Sequence, residues 1–229
     1  MERIQKRCSA PLKERSEMKS DNIRIGVEEA LSKSSERGFQ QSVEVAINFR
    51  NLDLNLPKNR INEDIKLPKG DDRSKIAIFA GGEMAMKAKG FADLIIAPEE
   101  LGEIAGDKRK AKKIANSYDY FIADASLMPE IGKKWGIYLG ARGKMPKPLP
   151  PDADPKGLIT ALKRSVRLRS KNRPVVQAFV GTSNMKPEEL TENILTILER
   201  IESALENPTN NIGSIWVKTT MGKAVKLES

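Results

Sequence analysis

The sequence predicts a mixed α/β and α+β chain of two domains. A discontinuous α+β domain is built from both termini, residues 1–70 and 158–229, and a parallel-sheet α/β domain is inserted at residues 71–157. Three observations predict this. Residues 42–50 alternate strictly, with Val43, Val45, Ile47 and Phe49 pointing one way and Ser42, Glu44, Ala46, Asn48 and Arg50 the other. Such a strand has one buried and one polar face, as in a half-open antiparallel sheet. From Lys75 onward, short and continuously apolar runs alternate with helical stretches, the texture of βαβ units whose strands are buried on both faces. After the segment at 140–155, alternating strands and amphipathic helices return.

Residues 1–20 are polar and expected to be frayed. From Asp21, the residues Ile23, Val27, Ala30 and Leu31 share one face at helical spacing, and Gly38 stops the helix. The strand at 42–50 follows. Residues 51–74, with Pro57, Pro68, Gly70 and many charges, are expected to be turns. Residues 76–80 are the first strand of the inserted domain, and 94–97 the second. Pro98 opens a helix running to 105, and a second helix spans 108–116. Residues 120–124 form a strand, a helix then ends near Gly136, and Ile137-Tyr138-Leu139 is expected to be a further strand. Asp154-Pro155 pairs a capping residue with a first-turn proline. The helix behind it takes Leu158, Ala161, Leu162 and Val166 as its apolar face. Residues 175–180 form a strand, and Pro187 opens a long helix carrying Leu190, Ile194, Ile197, Leu198, Ile201 and Leu205, which Pro208 ends. Strands at 212–218 and 224–227 are joined by Thr219-Thr220-Met221-Gly222. Two chain crossings, near 70 and near 157, restrict twist but permit hinge bending.

Composition narrows the function. The 229 residues carry 40 Lys+Arg against 31 Asp+Glu, a net charge of +9 that favours polyanionic partners. No segment approaches the roughly 18 consecutive apolar residues of a membrane-spanning helix, and the basic N-terminus lacks the apolar stretch of a signal peptide. Cys8 is the only cysteine, which excludes an intrachain disulfide and points to a reducing compartment. The chain has no histidine, which removes Ser-His and Cys-His nucleophiles, histidine bases and the usual zinc ligand sets. Aromatics are 5%, too few for an extended base-stacking platform.

Several segments are candidate sites. Residues 140–148 read Gly-Ala-Arg-Gly-Lys-Met-Pro-Lys-Pro. Glycines that admit close approach, the cations Arg142, Lys144 and Lys147, and two stiffening prolines suit a loop laid against a phosphate backbone; an ordinary charged surface loop is the alternative. Gly81-Gly82 lacks the rest of a dinucleotide or P-loop fingerprint and reads as a tight strand-to-helix turn. Asp93, Asp119 and Asp124 could bind Mg²⁺ only if strand ends brought them together; Asp93 and Asp119 precede their strands and Asp124 follows one, so caps and turns are favoured. Residues 108–113, Lys-Arg-Lys-Ala-Lys-Lys, are either a solvated face or a contact to RNA phosphates. The polar strand face with Ser42, Glu44 and Asn48, Phe39 just ahead of it and an exposed Met221 at the final hairpin turn suggest a partner surface. Lys163, Arg164, Arg167, Arg169, Lys171 and Arg173 flank it with charge, a combination suited to reading folded RNA by shape.

From about residue 20 to 229 the chain resembles the family of ribosomal protein L-one, the proteins of the mobile stalk of the large ribosomal subunit, in its archaeal form. The carriers are Phe39-Gln40-Gln41-Ser42-Val43-Glu44, Leu52-Asp53-Leu54, Asn59-Arg60-Ile61-Asn62-Glu63, Leu67-Pro68-Lys69-Gly70, residues 140–148 and Thr220-Met221-Gly222. Their order and spacing make the match specific. Ala141 stands where the family usually has proline, and Lys69 where it has histidine. The resemblance implies a split β-α-β terminal domain holding a Rossmann-like domain, and a monomer when free. It implies binding to large-subunit rRNA near the tRNA exit site, help in releasing deacylated tRNA, and repression of its own mRNA. It also implies a cytoplasmic, ribosomal location with no cofactor, no metal and no membrane. By position it assigns RNA contact to Phe39, Ser42, Glu44, Lys171, Lys218, Thr220, Met221 and Gly222, with a second contact loop at Arg142, Gly143, Lys144, Met145 and Lys147. The alternative of another class is a carboxylate-dependent, Mg²⁺-requiring RNA-processing enzyme built on the inserted domain.

Overall fold

The structure, a computed structural model, describes residues 12–35, 37–54, 56–150, 153–170, 173–205 and 208–227. The elements run α1 (Leu12–Ser32), β1 (Ser42–Phe49), β2 (Asn62–Lys66), β3 (Ile76–Phe79), α2 (Gly82–Ala88), β4 (Leu94–Ile96), α3 (Pro98–Gly106), α4 (Lys108–Ser117) and β5 (Tyr120–Asp124). They continue with α5 (Met128–Gly140), β6 (Lys147–Leu149), α6 (Pro155–Lys163), β7 (Ser165–Arg169), β8 (Val175–Thr182), α7 (Pro187–Ala204), a short α8 (Pro208–Asn211), β9 (Ile212–Thr219) and β10 (Val225–Leu227). The chain divides into two units, Met1–Gly70 with Val166–Ser229, and Asp71–Ser165.

Unit 1 is an antiparallel sheet in the order β10-β9-β1-β8. Helices α1 and α7 pack on each other, with α1 also against β9 and β10 and α7 against β8. The alternation of β1 is realised: Val43, Val45, Ile47 and Phe49 are buried, and they join Val27 of α1 and Leu190, Ile194, Ile197 and Ile201 of α7 in one core. The opposite face carries Ser42, Glu44, Ala46 and Asn48, none of them fully buried. Helix α1 starts well before the expected Asp21.

A second, two-stranded sheet, β2 with β7, stands where turns and a helix were expected. The leucine–valine spacing of Leu162 and Val166 imitates a helix face, but residues 165–169 also alternate, and period 2 wins there. Leu168 and Ile65 enter the core while Arg167 meets Asp64 at 2.9 Å.

Unit 2 is a parallel sheet in the order β4-β3-β5-β6. Its central strands are buried on both faces. On one side Phe79, Phe121 and Trp135 form an aromatic cluster beneath α3, α4 and α5; on the other, Ile76, Ile78 and Ile122 meet Met84 of α2 and Ile159 and Leu162 of α6. Those last two contacts place α6 wholly in this unit, so the second crossing falls at Ser165/Val166 instead of 157/158. The residues Ile137, Tyr138 and Leu139 are helical, not a strand. Ile131, Trp135 and Leu139 recur every four positions on the buried side, leaving Ile137 79% exposed. The fourth strand is β6, and it holds Pro148 at the sheet edge, where a missing N–H costs no ladder bond.

Candidate nucleic-acid interface

The turn at 219–222 is fastened to the start of β1. The Thr220 N–H donates to the Ser42 carbonyl at 3.0 Å, and the Ser42 N–H donates to Thr220 Oγ1 at 3.0 Å. The hydroxyl is therefore engaged within the fold, where the sequence reading left it free for a partner. Next to it, Gln41 is buried and makes three bonds: its amide nitrogen donates to Ser34 Oγ and to the Ser35 carbonyl, both at 2.9 Å, and its Oε1 accepts the Met221 N–H at 3.1 Å. One side chain thus ties the segment after α1 to the hairpin turn. A side chain at 222 would force a neighbour to move, because a Cβ there would lie 2.2 Å from Thr219 Oγ1. The requirement is steric and not conformational, since the positive-φ glycines among the described residues are Gly82, Gly90 and Gly143. Thr219 Oγ1 itself is buried with no hydrogen-bond partner.

These bonds leave Met221 59% and Phe39 54% exposed. A groove of about 640 Å³ lies beside them, bounded by Ser34, Arg37, Phe39, Gln41, Ser183 and Asn184. On the outer sheet face Glu44 is opposite Lys218 on one side and Phe179 on the other, and Ala46 is opposite Trp216. Asn48 Nδ2 and Trp216 Nε1 both donate to Ser214 Oγ, at 2.9 and 3.1 Å. Phe39, Ser42, Glu44, Lys218, Thr220, Met221 and Gly222 therefore gather at one end of the sheet. Lys171 lies outside the described residues.

The loop after α5 has a different construction. Gly143, at φ 68°, ends the helix: its N–H bonds the Gly140 carbonyl at 2.9 Å and the Lys144 N–H bonds the Leu139 carbonyl at 2.9 Å, the paired pattern of a glycine C-cap. The Lys144 ammonium then reaches the last carbonyls of α4, Ala115 at 3.2 Å and Tyr118 at 2.6 Å, where a helix end favours a cation. Arg142 donates to Asn116 Oδ1 at 2.7 Å and to the Tyr138 carbonyl at 2.9 Å. Two of the cations expected to face a ligand are spent joining the ends of α4 and α5. Met145 stays exposed, and Lys147 enters β6 opposite Ile122.

The three aspartates bind backbone. Asp93 Oδ2 accepts the Ile76 N–H at 2.8 Å and Asp119 Oδ2 the Lys75 N–H at 3.3 Å, both at the entry to β3, while Asp124 caps Ser126 at 3.0 Å beyond β5. Among the described residues no group of three or more potential ligands could hold a metal, and no helix is long and apolar enough to cross a membrane. Part of the basic flank is neutralised within the fold, Arg164 by Asp72 at 3.0 Å and Arg167 by Asp64. The hydrogen bond from Arg164 holds the Asp72 carboxyl below its ordinary 3.8.

Residues 31–223 match the family model described as the Ribosomal protein L1p/L10e family. The chain belongs to that family. Three curated relatives, each named large ribosomal subunit protein uL1, illustrate the likeness. The protein of Archaeoglobus fulgidus is 47% identical over 90% of this chain and 97% of its own, and that of Methanocella arvoryzae 49% over 88% and 95%. That of Thermoplasma volcanium is 47% identical over 92% of this chain and 97% of its own. Membership in the ribosomal protein L1 family makes the chain a structural protein and not an enzyme, which removes the Mg²⁺-dependent alternative.

Two residues of this L1-family chain escaped the sequence reading, and both had a signal. Gln41 continues the inward parity of Val43, Val45 and Ile47, so a polar group was already marked for burial. Asn193 falls on the apolar face of α7 between Leu190 and Ile197. Fully buried, it accepts the Lys69 N–H at 3.0 Å and donates to the carbonyls of Lys69 at 3.1 Å and Val180 at 2.9 Å. A polar residue on a buried face announces a bonded network, since an unpaired one is costly.

Proposed function

We propose that unit 1 reads large-subunit rRNA through the fastened turn 219–222, the start of β1 and Phe39, and that the protein serves at the mobile stalk beside the tRNA exit site. As a member of the ribosomal protein L1 family it is a structural component of the large ribosomal subunit, with rRNA as its partner. The observation that supports the finer reading is the buried Gln41 bridge, which fixes the turn while Met221 and Phe39 face outward. A rigid surface of that kind suits RNA recognised by shape, because little side-chain entropy is lost on contact. Contact at the loop 142–147 would come from Met145, Lys147 and the backbone. Help in deacylated tRNA release and repression of the protein's own mRNA rest on the family resemblance.

Met221→Glu tests the reading. The side chain is exposed, so the fold is kept, and a carboxylate placed against phosphates should weaken binding of a stalk rRNA fragment by roughly 10- to 100-fold. Ile137→Glu, also exposed but in unit 2, should leave that affinity nearly unchanged. Equal effects from the two substitutions would remove the turn from the interface.

A further inference from the structure

Helix α4 carries a charge pattern that works against its own stability. Lys108, Arg109, Lys110, Lys112 and Lys113 are all exposed and sweep about 200° of the helix circumference, opposite the buried Ala111 and Ala115. Three of them stand in the first turn, where the helix dipole disfavours cations. Lys108 with Lys112 and Arg109 with Lys113 are like charges four residues apart, which repel. Asp107 caps the helix through the Arg109 and Lys110 N–H groups, at 2.9 and 3.2 Å, but none of the five cationic side chains forms an ion pair among the described residues. Lys87, Lys134 and Arg164 of the same unit each pair with a carboxylate. The remaining cations nearby, Arg142 and Lys144, secure the C-terminal end of α4 to the end of α5, so the helix presents this face from a fixed mount.

We infer that this face of α4 is a sequence-independent contact surface for the phosphate backbone of duplex RNA, separate from the turn of unit 1. The choice of RNA as occupant rests on the ribosomal reading above. A concentrated, unpaired array gains by releasing condensed counterions from phosphates, and that gain offsets the repulsion inside the helix.

The test uses the full chain, an RNA duplex of arbitrary sequence, and a salt series. Changing Lys108, Arg109, Lys110, Lys112 and Lys113 together to Gln should raise the dissociation constant about tenfold at low salt and flatten the log–log salt slope by roughly 2 to 3, as for about three lost phosphate contacts. The same charge removed at Lys58, Lys66, Lys75, Lys89 and Lys133 should change both far less. Thermal stability of the first variant should not fall, since repulsion is relieved. Changing only the four lysines of α4 to Arg keeps the charge and should keep duplex binding. Equal effects of the two neutralised sets, or loss of binding in the Lys→Arg variant with native circular dichroism, overturn the inference. Binding to phosphatidylserine vesicles that falls as much as duplex binding overturns the assignment to RNA. Failure of the unaltered protein to bind a stalk rRNA fragment, with the duplex results intact, contradicts the unit 1 reading alone.

Discussion

The two units stabilise themselves by different means. Of the buried polar side chains Gln41, Ser165, Ser170, Thr182, Thr191, Asn193 and Thr219, all but Ser165 belong to unit 1. Unit 2 fills its interior with Phe79, Phe121, Trp135 and aliphatic residues; its buried side-chain bonds come from aromatic rings, Trp135 Nε1 to the Leu101 carbonyl at 3.2 Å and the Tyr120 hydroxyl to the Ser165 carbonyl at 3.1 Å, and Asp93, Asp119 and Lys144 bond nearer its edges. An apolar interior tolerates small shifts, because dispersion has no direction. Bonded polar groups fix one geometry. The unit proposed to read RNA is the one whose interior holds buried amides with three bonds each, Gln41 under the turn and Asn193 under the segment leading to Gly70.

The contrast breaks most visibly under core truncation. Trp135→Ala should destabilise unit 2 by about 3–5 kcal/mol. The chain's other tryptophan, Trp216, lies in unit 1, so its fluorescence should report an unshifted urea transition while circular dichroism shows an earlier one. A Trp216 transition displaced by the same amount would mean that the units unfold together. In unit 1, Asn193→Leu leaves the Lys69 N–H and two carbonyls without partners, and the loss should be about 3 kcal/mol, seen by Trp216 and not by Trp135.

Gln41→Leu sharpens the contrast, because it should separate stability from recognition. Burial is kept and the bridge to Met221 is lost, so the melting temperature falls modestly while rRNA affinity drops about tenfold, near 1.4 kcal/mol. Proportionate losses of both would make Gln41 a purely structural residue. The smallest effect concerns pH. The Asp72 carboxyl is held below 3.8 by Arg164, so the pair contributes stability above that value and loses it as the pH falls through the lowered folded value. Both groups are half exposed, so Asp72→Asn should lower stability only slightly at neutral pH, and the difference from the parent should vanish as the pH falls through the lowered value.

Much of this was legible in the sequence. The strict alternation of residues 42–50 and the apolar runs from Ile76 onward placed β1, β3, β4 and β5, because burial on one face or two leaves its own pattern. β2, β6 and β7 were not legible. β6 is three residues long and contains a proline, and residues 165–169 share a spacing with the helix before them. At the site, exposed Phe39 and Met221 followed from residue type and position. The roles of Arg142 and Lys144 did not, since a lysine that caps a helix end reads in sequence like a lysine that waits for phosphate.

The proposed RNA recognition rests on the shape of the turn at 219–222, and a four-protein binding series with the stalk rRNA fragment tests it most directly. Gly222→Ala introduces a methyl 2.2 Å from Thr219 Oγ1 and should displace the turn. Thr219→Ala removes a buried hydroxyl that has no partner, so alone it should cost little in folding or binding. The predicted result is a roughly tenfold or greater loss of affinity for Gly222→Ala, near 1.4 kcal/mol, largely restored in the Thr219→Ala/Gly222→Ala double variant. Unaltered affinity in Gly222→Ala, with the fold intact, would contradict the claim that this turn reads the RNA.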